Sequence, residues 1–377
     1  MVELSAKERI VRQARGVDVD KVPALGGWVG GVRNLAALAD ISVQSYLEDP
    51  LAGMVRAHKM LGCEGLINPV IHRDIEQVRT GHVLDEAFVG VEPEALVQRA
   101  EALPDGEKEV LANFDAVEAE QHYRRYFETA LARWDGLVPV PNFWELGGPF
   151  PLYTEYGYNA FLMACALYPQ AVGKIWWAKS LAARERAKIM AKLYAEYELV
   201  PLMFCGEDLC NNQGPMVAPD FLRAHYLPLV AMIIEPLVDS GIRLVYHCDG
   251  DVLPLVQDFI EIGFSGLQGF QYELGVDLYE LRKLRSRLGE ELLVFAGLSV
   301  SRTLPFGGIQ DVRDEVDYFF DATDGGRGLF LFTSNVTGIE VPPENLRAAY
   351  ERIKELEFGQ QREAAWTRWP WLEKESV

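Results

Sequence analysis

Short apolar runs alternate with longer stretches in which apolar residues recur at helical spacing. The run Ile242 to Tyr246, broken only by Arg243, reads as a buried parallel strand. The Leu253, Leu255, Val256, Phe259, Ile260 pattern after it reads as a helix. The same reading predicts strands over 22–28, 65–69, 137–143, 199–204, 242–246, 264–268, 292–296 and 329–333. Helices are predicted over 4–15, 43–61, 92–103, 115–133, 151–194 with a break near Pro169, 219–238, 252–262, 277–287, 309–321 and 343–357. Pro342-Pro343 opens the last of these. Residues 70–90 are polar and irregular, a hairpin or an excursion beyond the wall of the fold. Strands each followed by helix predict an α/β protein, a (β/α)8 TIM barrel with an N-terminal helical extension; an open doubly wound sheet is the competitor. We expect one domain over 1–377, with the extension at 1–21 and a C-terminal tail at 360–377. The tail's Trp366, Trp369 and Trp371 are expected to pack on the barrel or on a second subunit, as in a homodimer.

Composition narrows this. The 377 residues are 49% hydrophobic and 24% charged, which is globular and long enough for one large barrel or two ordinary domains. With 56 acidic against 36 basic residues the net charge is -20, and such a surface repels phosphate backbones, so nucleic acid is not an expected partner. The five cysteines are scattered without CxxC spacing, as reduced thiols are. The charged start lacks an apolar signal core, and no window holds about 18 uncharged apolar residues. A soluble, cytoplasmic protein without a membrane partner is expected.

In a parallel α/β fold the loops at the carboxyl ends of strands converge on one face. That face would gather Trp28, Asn68, Trp144, Glu145, Glu207, Asp208, His247, Asp249, Gln268, Gln271, Ser299 and Asn335. A histidine, carboxylates and tryptophans together describe a pocket for an organic small molecule, held by stacking and acted on by proton donors or a metal. His247 and Asp249, two residues apart at a strand end, share a side; adjacent Glu207 and Asp208 point oppositely, so one of them enters the pocket. His247, Asp249 and Asp208 are the catalytic candidates. With Glu207 or Asp208 opposite, His247 and Asp249 could hold Zn²⁺; equally, His247 could be a general acid oriented by a carboxylate. Glu207, His247 and Asp249 form the candidate metal set. Trp28, Trp144, Glu145, Gln268, Gln271 and Asn335 are the candidate substrate contacts, although helix capping would also account for Asn335. Cys248 alternates away from His247, as a small buried hydrophobe does. The turn Gly26-Gly-Trp-Val-Gly-Gly31 does not form GxGxxG, so it places Trp28 at a pocket wall rather than binding a dinucleotide.

The run Gly206-Glu-Asp-Leu…Gly214-Pro-Met-Val-Ala-Pro219 is followed by Tyr246-His-Cys-Asp-Gly-Asp251, Gln268…Gln271, Phe295-Ala-Gly297…Leu304-Pro-Phe-Gly307 and Val341-Pro-Pro-Glu-Asn345. In that order these motifs, with Glu8-Arg9…Arg15-Gly…Asp20-Lys-Val-Pro23 before them, resemble the uroporphyrinogen decarboxylase superfamily. The resemblance covers nearly the whole chain and implies the same barrel. The superfamily's decarboxylases use an N-terminal arginine pair and a last-strand histidine; here stand Gly26 to Arg33 and Ser334-Asn335. Its thiol-activating methyltransferases carry zinc on His-x-Cys and a later cysteine; here His247-Cys248-Asp249 has Asp in the second place and no cysteine follows. What remains is similar to the corrinoid-dependent O-demethylases. These pass a methyl group from methoxylated compounds, often aryl methyl ethers, to the cobalamin cobalt of a partner corrinoid protein. The chain carries no Asp-x-His-x-x-Gly cobalamin signature of its own. The resemblance thus implies a methyltransferase with a small-molecule donor and a corrinoid partner. Decarboxylation of a small organic acid or porphyrinogen-like substrate is the alternative, and a non-catalytic scaffold the third.

Overall fold

The computed structural model describes residues 3–74, 88–269 and 271–363. It is a mixed α/β chain of parallel sheets and many helices. The parallel strands are β1 (Leu25–Gly26), β2 (Gly65–Ile67), β3 (Val138–Val140), β4 (Leu202–Gly206), β5 (Arg243–His247), β6 (Gly266–Gln268), β7 (Leu293–Leu298) and β8 (Leu329–Thr333). β1-β2-β3 form one sheet and β8-β7-β6-β5-β4 the other. Single parallel bridges join them at both edges, Ala24 with Leu331 and Asn142 with Phe204.

Strand residues alternate between two buried environments. Leu202, Phe204, Val245, Leu293, Phe295, Phe330 and Phe332 share one apolar cluster with Leu25, Ile67, Val138 and Val140 from the other sheet. The intervening Met203, Cys205, Leu244, Tyr246, Val294, Ala296 and Leu331 pack into a second cluster with the helices. This is why the strands read as continuous apolar runs. It also fixes the phase at the strand end: His247, two residues past Val245, continues the face of the first cluster.

The N-terminal helix Ala6–Ala14, capped by Ser5, is not a free extension. Its Ile10 and Ala14 enter the first cluster, Gln13 Nε2 donates to the carbonyls of Gly326 and Leu329 at 2.7 Å each, and Arg243 donates to the Ala14 carbonyl at 3.0 Å. It closes the end where the strands begin. Chemistry is left to the opposite end.

Several expected elements are corrected. The strand over 22–28 shrinks to Leu25–Gly26, because Gly27, at φ 124°, would carry a Cβ 2.3 Å from the Ile67 carbonyl oxygen, so the chain turns there. The helix over 43–61 is two, Val43–Glu48 and Pro50–Leu61, split at Asp49, which caps the second. That over 277–287 is only Leu278–Leu281, capped by Arg282, whose guanidinium donates to the Leu292 carbonyl at 2.6 Å. The stretch 151–194 is Tyr153–Tyr156, Tyr158–Leu167 and Pro169–Glu196. The helix Val32–Leu38 and the hairpin of Cys210–Asn211 with Gly214–Pro215 were not anticipated. Most of the 70–90 excursion and all three tail tryptophans fall outside the described residues. Among the described residues no single helix is long and apolar enough to cross a membrane.

Candidate functional site

The carboxyl ends of β4, β5 and β6 lie abreast, with Gly206 opposite His247 and His247 opposite Gln268. Gly206 has φ 130°, and a Cβ there would sit 2.1 Å from the His247 carbonyl oxygen, so only glycine fits. The chain turns at this glycine, and Asp208 swings back over the end of β5. Its Oδ1 accepts the Asp249 backbone N–H at 3.0 Å and lies 3.5 Å from His247 Nε2. Asp249 Oδ1 lies 3.8 Å from the same nitrogen. One ligand atom from each of Asp208, His247 and Asp249 falls within 4.8 Å of the others. The imidazole is 5% exposed against 41% and 33% for the two carboxylates, so a ligand reaches the trio from the carboxylate side.

The imidazole is held on every other side. Trp28 stands edge-on at 5.7 Å and Phe204 lies tilted beneath it at 5.8 Å. Gln268 Oε1 meets Nδ1 at 2.5 Å. Burial pushes the His247 pKa down, but the hydrogen bond it donates to Asp208 and the charges of Asp249 and Asp208 outweigh it and raise the value to about 9. Burial likewise pushes the Asp208 carboxyl up, and pairing with His247 wins, leaving it below its ordinary value. The neighbouring carboxylates thus favour the protonated form of the imidazole.

The other expected contacts divide. Trp28 is buried among Phe204, Phe332 and Trp144, stacked on Trp144 at 6.2 Å. Trp144 lies on the turn Phe143–Leu146 and donates its indole N–H to Glu207 Oε1 at 2.6 Å and to the Gly206 carbonyl at 3.0 Å. Glu207, expected as a ligand, is thereby held at the indole, and Asp208 takes its place in the trio. Burial raises the Glu207 carboxyl to about 7, with the Asp208 charge adding and the Trp144 bond opposing. Asn335 is no helix cap: it donates to Asp249 Oδ2 at 2.6 Å. Gln271 accepts the Gly250 backbone N–H at 2.5 Å and so shapes the loop that carries Asp249. Glu145 faces a different cavity, of about 710 Å³, where its carboxylate meets His122 at 3.3 Å. Gln268 is 3% exposed and engaged entirely within the protein.

Tyr153 was missed. Burial and the neighbouring charges of Asp208 and Glu207 push its phenol well up, and its ring stacks on Tyr158 at 4.4 Å. Sequence shows it only as part of a long helical stretch; the break Gly147-Gly-Pro-Phe-Pro151 just before it was the available signal.

No protein family matches the sequence, and no curated protein does. Among solved structures 37 chains match. One is described as a methyltransferase from Methanosarcina mazei; it superposes with a TM-score of 0.59 over 94% of this chain and 99% of its own, at 17% identity. At that identity the likeness is one of fold.

Proposed function

We propose that this chain is a corrinoid-dependent methyltransferase that removes the methyl group of a methoxylated substrate, an aryl methyl ether, and passes it to the cobalt of a partner corrinoid protein. In this reading the bridges at both sheet edges close the eight parallel strands into a (β/α)8 barrel of the uroporphyrinogen decarboxylase type, with the trio at its mouth. The observation that carries the proposal is the set Asp208, His247, Asp249 at the strand ends with Trp28 and Trp144 beside it. The fold shared with a methyltransferase supports it.

The transfer breaks the O–CH₃ bond and leaves the bonding pair on oxygen, where the phenolate or alkoxide must gain a proton or a positive neighbour as it forms. His247, positively charged between Asp208 and Asp249, can give its Nε2 proton to that oxygen. Trp144, fixed by Glu207 and the Gly206 carbonyl, offers a ring face for the substrate arene. Asn335 and the backbone N–H of Asp249 keep the two carboxylates oriented toward the imidazole. The donor set of one imidazole nitrogen and two carboxylate oxygens also suits Zn²⁺. Bound there, that ion would supply Lewis acidity at the leaving oxygen. Decarboxylation of a small acid is the weaker reading, because the trio would set two carboxylates against an anionic substrate.

The decisive experiment incubates the protein with a methoxyarene, with and without a reduced corrinoid protein. We expect the phenol and methylated corrinoid only when both are present, and His247→Ala at least 100-fold slower. Phenol release without corrinoid, or CO₂ release instead, would overturn the proposal.

A further inference from the structure

Gln268 was expected to hold substrate, but its amide is already committed. The Nε2 group faces two backbone carbonyls, Thr333 O at 2.7 Å and Ser334 O at 3.0 Å, and Oε1 faces His247 Nδ1 at 2.5 Å. Carbonyl oxygens only accept, so the amide nitrogen must be the end turned to them and Oε1 the end turned to the imidazole. Oε1 in turn only accepts, and Nδ1 must be its donor. We infer that Gln268 is a positioning residue that fixes His247 with its hydrogen on Nδ1, so that Nε2 is the atom presented to Asp208, Asp249 and whatever binds between them.

The surroundings leave the ring little alternative. His247 and Gln268 are register partners on adjacent strands and project from the same face. A Cβ on Gly269 would come within 3.0 Å of Nδ1, so backbone packs closely against that edge of the ring. Trp28 and Phe204 restrain its faces. The carbonyls that orient the amide come from the last residue of β8 and the one after it, so the end of one strand sets the proton position on another.

The inference deepens the methyl-transfer reading, which needs Nε2 at the leaving oxygen, but its test does not depend on turnover. In [¹⁵N]histidine-labelled, metal-free protein with the ring neutral, the wild-type spectrum should show His247 protonated at Nδ1. Gln268→Leu should populate the Nε2-protonated form and weaken binding of Zn²⁺, titrated alone, by about 10–100-fold. Gln257→Leu, whose side chain is bonded only to Glu261 on the exposed face of the helix Val256–Ile262, should leave both unchanged. Wild-type protonation at Nε2, or a Gln268→Leu variant with wild-type spectrum and Zn²⁺ affinity, would overturn the inference. Should Gln268→Leu fail to fold, or wild type bind no Zn²⁺, the wild-type spectrum decides alone. A wild type protonated at Nδ1 that moves no methyl group would sink the functional reading and leave the role of Gln268 standing.

Discussion

Asp208 and His247 meet across a strand boundary: Asp208 Oδ1, on the loop after β4, lies 3.5 Å from Nε2 of the last residue of β5. The ion pair exists because two consecutive strand ends lie abreast and the first is a glycine. Its partner Asp249 belongs to the same segment as the histidine, so the trio needs both βα units in register.

Metal analysis of purified protein exposed to Zn²⁺ and then desalted should find about one ion per chain. Asp208→Ala and Asp249→Ala should each lose it, because only one imidazole and one carboxylate would remain. Asn335→Ala, which frees Asp249 Oδ2, should weaken binding about tenfold. Equal zinc content in wild type and Asp249→Ala would exclude the trio as a metal site.

Gly206→Ala should be among the most damaging single-methyl additions. The new Cβ meets the His247 carbonyl at 2.1 Å and the residue must hold φ 130°. We expect a loss of at least about 2 kcal/mol in urea unfolding, together with loss of Zn²⁺ binding because β4 and β5 are pushed apart. A variant within about 0.5 kcal/mol of wild type would contradict the tight approach.

Trp28 is 4% exposed and touches His247, Phe204, Phe332 and Trp144 with its ring. Trp28→Ala should cost about 3–5 kcal/mol by equilibrium denaturation, and Trp28→Phe clearly less. If the proposed function holds, both should also slow demethylation, since the imidazole loses its edge-on neighbour.

His58 gives a pH signature apart from the site. It is fully buried, its Nδ1 donates to the Met54 carbonyl at 2.9 Å, and burial lowers its pKa to about 4. An unfolded chain takes up this proton near the ordinary value of about 6.5, whereas the native state resists it. The stability it contributes is therefore complete above about pH 6.5 and lost as pH falls toward 4, in total on the order of 3–4 kcal/mol at roughly 1.4 kcal/mol per pKa unit. The difference in urea midpoints between wild type and His58→Leu, followed from pH 7 to pH 4.5, should shrink as the pH drops.

Most strands were legible because they are buried on both sides and read as nearly continuous apolar runs; Leu329–Thr333 falls where the run predicts it. The shared side of His247 and Asp249 follows from their two-residue spacing. What sequence could not show is which groups the protein spends on itself. Gln268 and Asn335 look like substrate contacts until their partners are known to be His247 and Asp249. Alternation admits either Glu207 or Asp208 to the pocket; the choice is made by the positive φ of Gly206 and by an indole from 63 positions earlier that holds Glu207. Glu145 turns to His122 because Phe143–Leu146 winds as a 3₁₀ turn, on which neighbouring side chains fan out instead of alternating.

The two sheets are joined by single parallel bridges: Phe204 N donates to Pro141 O at 3.0 Å on one side and Leu331 N to Pro23 O at 3.0 Å on the other. On the β3–β4 side the Trp144 indole, bonded to Gly206 and Glu207, spans the gap as a side-chain rivet. A guest lying on that indole would therefore brace the wall where it is thinnest. Occupancy of the mouth should be felt as slower amide exchange at Phe204, deep below the bound molecule.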